Sequence, residues 1–375
     1  MAKTRDYRLG EFTFPRGWFV VAESSQIGST PHSDRFFGED VVLYRGSSGR
    51  VIMLDAYCPH MGTHLGKNRT SHTVVTGQHV QGDSIRCPYH GWRFGADGRC
   101  DEIPFYDGRI PEKARVRSWL VVERYGIVFC WHDPEGQAPD MDLPEYPEWD
   151  DPQWVRWQVD HLGTLPTHPQ EVVDNMSDIR HLTFLHGSGV RWYENEVDGY
   201  ILHQRQGGQA LHGGDHGSLA KFSTLVRYVG PALLSSRFFM NDGAEPGMAQ
   251  LIAHTPVDDG TTRLWHASMM KSPQLVIDEA VREAARKLNA TLRTGFQEDF
   301  EIWANKRPAL QIMQMPTDGP FGKSRIWYSQ FYNPRARATQ ILERVTGVHG
   351  VKGCPSLAEF AVRYADPHAS GATCR

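Results

Sequence analysis

Two short clusters constrain this chain more than anything else in it: Cys58-Pro59-His60 and Cys87-Pro88-Tyr89-His90, each placing one thiol and one imidazole in a turn rich in Pro and Gly. Four such donors suit a [2Fe-2S] cluster in which two Cys hold one iron and two His the other. Two loops, each giving one ligand to each iron, would then clamp the cluster from both sides. The alternative is a structural zinc site, which also takes Cys and His in fours but more often pairs Cys-x-x-Cys with His-x-x-x-His.

The flanks, Met61-Gly62-Thr63-His64-Leu65-Gly66 and Gly91-Trp92-Arg93-Phe94, resemble those of Rieske proteins. Cys58, His60, Cys87 and His90 are therefore the expected cluster ligands. His64, four residues after His60, is expected to pack or to hydrogen-bond a ligand.

Around these turns, from Gly17 to about Trp131, the chain reads as short strands bounded by Gly, Ser or Asp: Trp18 to Ala22, Val41 to Tyr44, Val51 to Leu54 and Ile127 to Trp131. A stretch dense in Pro, Asp and Glu, His132 to Pro152, follows as a linker. Length allows two domains, divided here as 1–150, the cluster domain with its linker, and 151–375. A net charge of -4 with 22% charged residues excludes a strongly basic nucleic-acid binder. No apolar run is long enough to span a bilayer, and Met1 to Asp6 lacks a signal-peptide core. The expectation is a cytoplasmic protein whose remaining cysteines, Cys100, Cys130, Cys354 and Cys374, form no disulfide framework.

In the second half, Gln170 to His186 reads as helical. Strand-like stretches follow near Tyr200 to His203, Leu219 to Val229 and Gln250 to Thr255. A long amphipathic helix is predicted from about Pro273 to Lys306, with Ile277, Val281, Ala284, Leu288, Leu292, Phe296, Phe300 and Trp303 on its apolar stripe. No role is assigned to Arg335 to Arg375.

Within the first of these segments, Asp178-Ile179-Arg180-His181 leads on to His186. Two His with one carboxylate on one face of an iron make the facial triad of non-haem Fe(II) oxygenases. On an ideal helix, side chains five residues apart point about 140° away from each other. His181 and His186 can converge only if the helix ends between them or widens locally as a π-turn. The third ligand is expected from Asp299, whose carboxylate borders the buried stripe of the long helix, where an unpaired charge is costly. Glu298 should point more to solvent. Asp178, three residues before His181, could accept the outer N–H of that imidazole or link two metal centres.

With both constellations in place the chain resembles the oxygenase (alpha) component of Rieske non-haem iron oxygenases, from about Trp18 to Lys306. Val173-Asp174-Asn175-Met176-Ser177-Asp178 is similar to the corresponding run in 3-ketosteroid 9α-hydroxylases and related sterol-modifying enzymes. That resemblance implies an α+β chain: an antiparallel β Rieske domain, then a helix-grip catalytic domain of antiparallel sheet and long helix. It implies a mononuclear Fe(II) on His181, His186 and Asp299, with Asp178 relaying electrons to it from the Rieske [2Fe-2S] cluster. It also implies a homotrimer in which Asp178 bridges to His90 of the neighbouring subunit, since the two centres of one chain would be too far apart for fast electron transfer. Electrons would come from NAD(P)H through a separate flavin and iron-sulfur reductase, with or without a ferredoxin, because no Gly-x-Gly-x-x-Gly loop is present.

The implied activity is O2-dependent monooxygenation of a bulky hydrophobic compound, a steroid or sterol first. The alternatives are demethylation or hydroxylation of a small aromatic, or pure electron transfer. One departure from the family is the long segment between His60 and Cys87, whose excess, Arg69 to Gln81, reads as an extended hairpin or loop.

Overall fold

The computed structural model describes residues 1–210, 221–241, 243–274 and 276–364. Contacts divide the chain into two units: Phe19–His132 with Thr255–Asp258, and Met1–Trp18, Asp133–His254 and Asp259–Arg375.

The first unit is built of short antiparallel strands. One four-stranded sheet runs His32–Phe36, Glu39–Arg45, Val51–Asp55, Ser118–Trp119; another runs Val80–Gln81, Ser84–Arg86, Arg93–Phe94, Cys100–Glu102. A three-stranded sheet joins Gly17–Glu23, Ile127–His132 and Val121–Arg124. Val41, Val42, Leu43 and Tyr44 are all buried, so this strand is covered on both faces and shows a continuous apolar run instead of alternation. Val42, Tyr44, Ile52, Leu54, Leu65, Ile85 and Phe94 share one core with Cys58 and Cys87. Each large apolar side chain buried there contributes about 1.5–3 kcal/mol, which anchors the base of both cysteine turns.

The segment expected as an extended hairpin or loop is only partly that. Ser71 caps a one-turn helix, His72–Val75, by accepting the Val74 N–H at 3.4 Å, and pairing begins only at Val80–Gln81 against Ser84–Arg86. A serine that offers its oxygen to the backbone two or three residues on favours a helix start over a strand. His79 then buries its ring against the Leu65 carbonyl, 2.7 Å from Nε2.

The second unit holds a nine-stranded antiparallel sheet among the described residues. Its order is Trp154–Val155, Thr261–Lys271, Met248–Asp258, Leu233–Met240, Lys221–Val229, Ile201–Ala210, Ser188–Asp198, Gly347–Gly350, with Asp160–Leu165 also on Thr261–Lys271. The last of these, in the stretch left without a role, closes the sheet edge against Ser188–Asp198.

The long helix spans Glu279–Asn305 and starts later than the apolar stripe suggests, because Asp278 caps it by accepting the Val281 N–H at 2.9 Å. Trp303, Phe296 and Phe300 pack with Val172 and Leu264. Ala284 is exposed and Leu292 faces a cavity instead of core.

Cys58, Cys87, Cys100 and Cys130 are free thiols. Cys354 is disulfide-bonded, where the sequence led to the expectation of no disulfide framework. Cys374 lies outside the described residues. Among those described, no helix is long and apolar enough to cross a membrane.

Candidate metal centres

The two cysteine turns have one backbone plan. Cys58 N–H donates to the Thr63 carbonyl and accepts the Gly62 N–H on its own carbonyl, both at 2.9 Å. Cys87 repeats this with the Trp92 carbonyl at 2.7 Å and the Gly91 N–H at 3.1 Å. Gly62 and Gly91 take φ of 73° and 76°, the left-handed region that glycine enters without strain. Both thiols are buried, whereas His60 and His90 are exposed with ring centroids 4.7 Å apart. Trp92 stacks on His60 at 4.6 Å.

The two buried thiols interact as a pair. That interaction draws Cys87 below the usual thiol range against the effect of burial, helped by the backbone N–H groups of Tyr89 and His90. The same interaction and burial push Cys58 upward. A buried thiol pair with one member already prone to ionise, capped by two imidazoles, is a donor set that fits a two-iron cluster, since metal ligation requires thiolates. His64 is not among these donors: its Nδ1 accepts the Gly66 N–H at 3.1 Å and its ring packs edge-on against Tyr57.

The second centre forms where a broken helical run meets the sheet and the long helix. His168 caps the helix Pro169–Asp174, a 3-10 turn covers Asn175–Ser177, and Asp178 caps the helix Ile179–Phe184 by accepting the N–H groups of Arg180 and His181 at 3.0 and 3.2 Å. That helix stops at Phe184, so His181 is helical and His186 is not. Of the two ways the imidazoles could converge, the chain uses the helix end and needs no π-turn.

His181, His186 and Asp299 bring one donor atom each to within 4.8 Å of one another, a set that fits a single metal ion. Asp299 is 5% exposed. Its Oδ1 accepts the Asn175 side-chain N–H at 3.0 Å, leaving Oδ2 3.4 Å from His186 Nε2. Each imidazole is held through Nδ1. For His181 the partner is the backbone carbonyl of Asp178 at 2.5 Å, with the Asp178 carboxylate farther off at 3.8 Å. For His186 it is Glu298 Oε2 at 3.0 Å. Burial alone would make His186 less basic; Asp299 and then Glu298 outweigh it and raise its affinity for a proton. Asp178 is likewise held below the usual aspartate range, because His181 and the capped N–H groups outweigh burial.

Residues 17–119 match the family model of the Rieske [2Fe-2S] domain and residues 130–332 that of the 3-ketosteroid 9alpha-hydroxylase C-terminal domain. The oxygenase component of 3-ketosteroid-9-alpha-monooxygenase from Rhodococcus rhodochrous is 31% identical over 92% of this chain and 90% of its own length. The chain belongs to the 3-ketosteroid 9α-hydroxylase family of Rieske oxygenases. A more distant relative is cholesterol 7-desaturase of Caenorhabditis elegans, 29% identical over 87% of this chain and 79% of its own. Among solved structures dicamba monooxygenase has the same fold, with a TM-score of 0.64 at 18% identity, covering 88% of this chain and 98% of that one; it has also been solved with non-heme iron and dicamba bound.

In this Rieske oxygenase the His181, His186 and Asp299 triad opens on a cavity of about 390 Å³ between the sheet and the long helix, lined by Val172, Leu234, Phe238, Ile252, Phe296 and Trp303 among others. Glu298 and Asn175 were not legible as parts of this centre. Glu298 reads as a surface residue and is 46% exposed, yet its carboxylate curls back to His186. Asn175 lies in the family-like run, but only the fold, across 124 residues of chain, shows that it orients Asp299.

Proposed function

We propose that this chain is the oxygenase component of a multicomponent monooxygenase that uses O2 to hydroxylate a 3-ketosteroid or a closely related polycycle. The reading is carried by one observation: the His181, His186 and Asp299 triad faces a largely apolar cavity within the part of the chain that matches the steroid-hydroxylase model. A volume of about 390 Å³ lies within the range of small-molecule sites, roughly 300–1,000 Å³. When bound, the Rieske cluster and a mononuclear iron supply one-electron transfer and oxygen activation respectively.

The residues supply the rest. Cys58, His60, Cys87 and His90 hold the cluster; His181, His186 and Asp299 hold the iron. The Asp178 carbonyl fixes His181 with its Nδ1 proton inward to the peptide, and Glu298 does the same for His186, so both Nε2 atoms stay available to metal. Asn175 holds Asp299 in place. Trp303, Phe296 and Leu292 keep water away from the reacting bond.

The division of labour gives the cluster to residues 1–150 and the oxygen chemistry to 151–375. In a head-to-tail homotrimer Asp178 Oδ2, which lies 3.8 Å from His181 Nδ1 while Oδ1 caps the helix, would reach His90 of the neighbouring subunit. Electrons would come from a cytoplasmic NAD(P)H-dependent reductase. The test is turnover of the iron- and sulfide-containing protein with a surrogate reductase against steroids, aromatic acids and methylated aromatics. Oxygenation of a steroid supports the reading; oxidation confined to the aromatics would refute it. His181→Ala should retain the red-brown cluster and lose oxygenation, and retained function would leave only electron transfer.

A further inference from the structure

On the reading of the cavity as the seat of a bulky apolar substrate, we infer that Gln206 and Thr224 form a polar clamp on its wall that selects an occupant bearing a hydroxyl group over the corresponding ketone. The wall is a sheet face, so its side chains alternate along each strand. Gln204 and Gln206 on Ile201–Ala210 share that face with Phe222, Thr224 and Val226 on Lys221–Val229, and Gln206 stands directly opposite Thr224 in the register. Thr224 in turn faces Phe238 on the next strand.

Most polar groups of this wall are accounted for by the protein. Gln204 donates to the Met176 carbonyl at 2.9 Å, and Gln250 meets His266 Nε2 at 2.9 Å. Gln206 Oε1 and Thr224 Oγ1 are different: both residues are 6% exposed and line the cavity, and neither oxygen has a hydrogen-bond partner. Buried polar atoms left without a partner are rare and unfavourable. Two of them side by side, in the cavity that the metal-binding triad also lines, point to a partner supplied by the occupant.

Donor and acceptor chemistry then narrows the occupant. The Gln206 carbonyl oxygen can only accept, whereas the Thr224 hydroxyl can donate. Directly opposed residues on antiparallel strands have Cβ atoms about 4.5–5.5 Å apart, so one oxygen of a ligand can reach both after modest side-chain rotation. A ligand hydroxyl donates to Gln206 Oε1 and accepts from Thr224. A ketone can only accept, so with Gln206 oriented as in the structure it pairs with Thr224 and leaves Gln206 Oε1 without a partner. A steroid or sterol alcohol therefore satisfies the site more fully than a diketone of the same skeleton.

The experiment is equilibrium dialysis of the holoprotein with three probes: androst-4-ene-3,17-dione, its 17β-hydroxy counterpart and its 3β-hydroxy counterpart. One hydroxy probe is expected to bind about tenfold tighter than the dione, the scale of one well-made buried hydrogen bond. Gln206→Met should remove most of that preference while the dione binds as before, and Thr224→Val should weaken the hydroxy probe and the dione together. Thr224→Ser, which keeps the hydroxyl, should bind both as the parent does, and the Gln206→Met comparison stands even if the valine variant fails to fold. Equal affinity for all three probes, or a preference untouched in Gln206→Met, overturns the clamp and leaves the steroid reading intact. Binding of none of the three overturns the steroid reading and the clamp together.

Discussion

Two neighbouring carboxylates, Glu298 and Asp299, touch opposite nitrogens of His186, and the structure gives them unequal importance for metal binding. Asp299 is buried, hydrogen-bonded by Asn175 and aimed at His186 Nε2. Glu298 is 46% exposed and reaches Nδ1 at 3.0 Å. Two unit charges about 4 Å apart interact by about 4 kcal/mol at an effective dielectric of 20 but only about 1 kcal/mol in water. Half-exposed Glu298 belongs near the screened end. Replacing it by Gln keeps shape and most of the contact while removing the charge, so Glu298→Gln should weaken ferrous-ion affinity by about 1 kcal/mol, about fivefold.

Glu298→Ala, which also frees the imidazole to turn, should lose about tenfold or more, as outer partners of metal-bound His generally do. Asp299→Ala removes the triad's own carboxylate and should not retain iron through gel filtration. The assay is competition with a ferrous chelator, with the visible Rieske spectrum as control that the fold and cluster survive. Iron retained by Asp299→Ala but lost from Glu298→Ala would show that the wrong carboxylate has been given to the metal.

Other consequences are as direct. Asp178→Asn keeps an oxygen for the helix cap and leaves the carbonyl on His181 in place, so both metals should remain while single-turnover electron transfer slows; an unchanged rate would tell against the bridging role. Gly62→Ala and Gly91→Ala each force a side chain into left-handed backbone, at about 1–2 kcal/mol, but only at Gly91 would the new Cβ also meet Pro104 Cγ, at 2.9 Å. Cluster absorbance per chain should therefore fall further in Gly91→Ala.

His254 is 1% exposed with both ring nitrogens unpartnered, and burial drives its pKa down to about 3. The unfolded chain takes up a proton near pH 6.5 that the folded one refuses, so stability is full above that pH. It should fall by about 1.4 kcal/mol per unit between about 6.5 and 3. His254→Phe should flatten that slope in melting curves, and a parallel pH dependence would contradict it. Glu171 is held below the usual glutamate range because Lys306 and Tyr7 outweigh burial, so its contribution is present above about pH 4.5 and lost as the pH falls. Glu171→Gln should lower the melting temperature at pH 7, and the difference should vanish toward pH 3.

Local chemistry made the cluster turns legible before any fold was known. Cys and His at those spacings, with glycines at positions that need left-handed backbone, carry their geometry within a few residues, as do the strands Val41 to Tyr44 and Ile127 to Trp131. His181 and His186 stood out as two imidazoles with carboxylates just upstream, although helical spacing alone pointed them apart, and the burial of Asp299 followed from its place beside the apolar stripe of the long helix.

What lay beyond the sequence is whatever depends on contacts between distant segments. Glu298 turns back to His186 across 112 residues, and Asn175 holds Asp299 across 124. Cys354 forms a disulfide that its isolated position in the sequence did not suggest. Gln206 comes to stand opposite Thr224 only because the two strands pair in one register and not the next, a slip of one residue being enough to turn every side chain to the other face. Periodicity and short motifs fix what a segment is and which face it buries; register and packing, which sum over the whole sheet, fix which polar atoms face the cavity.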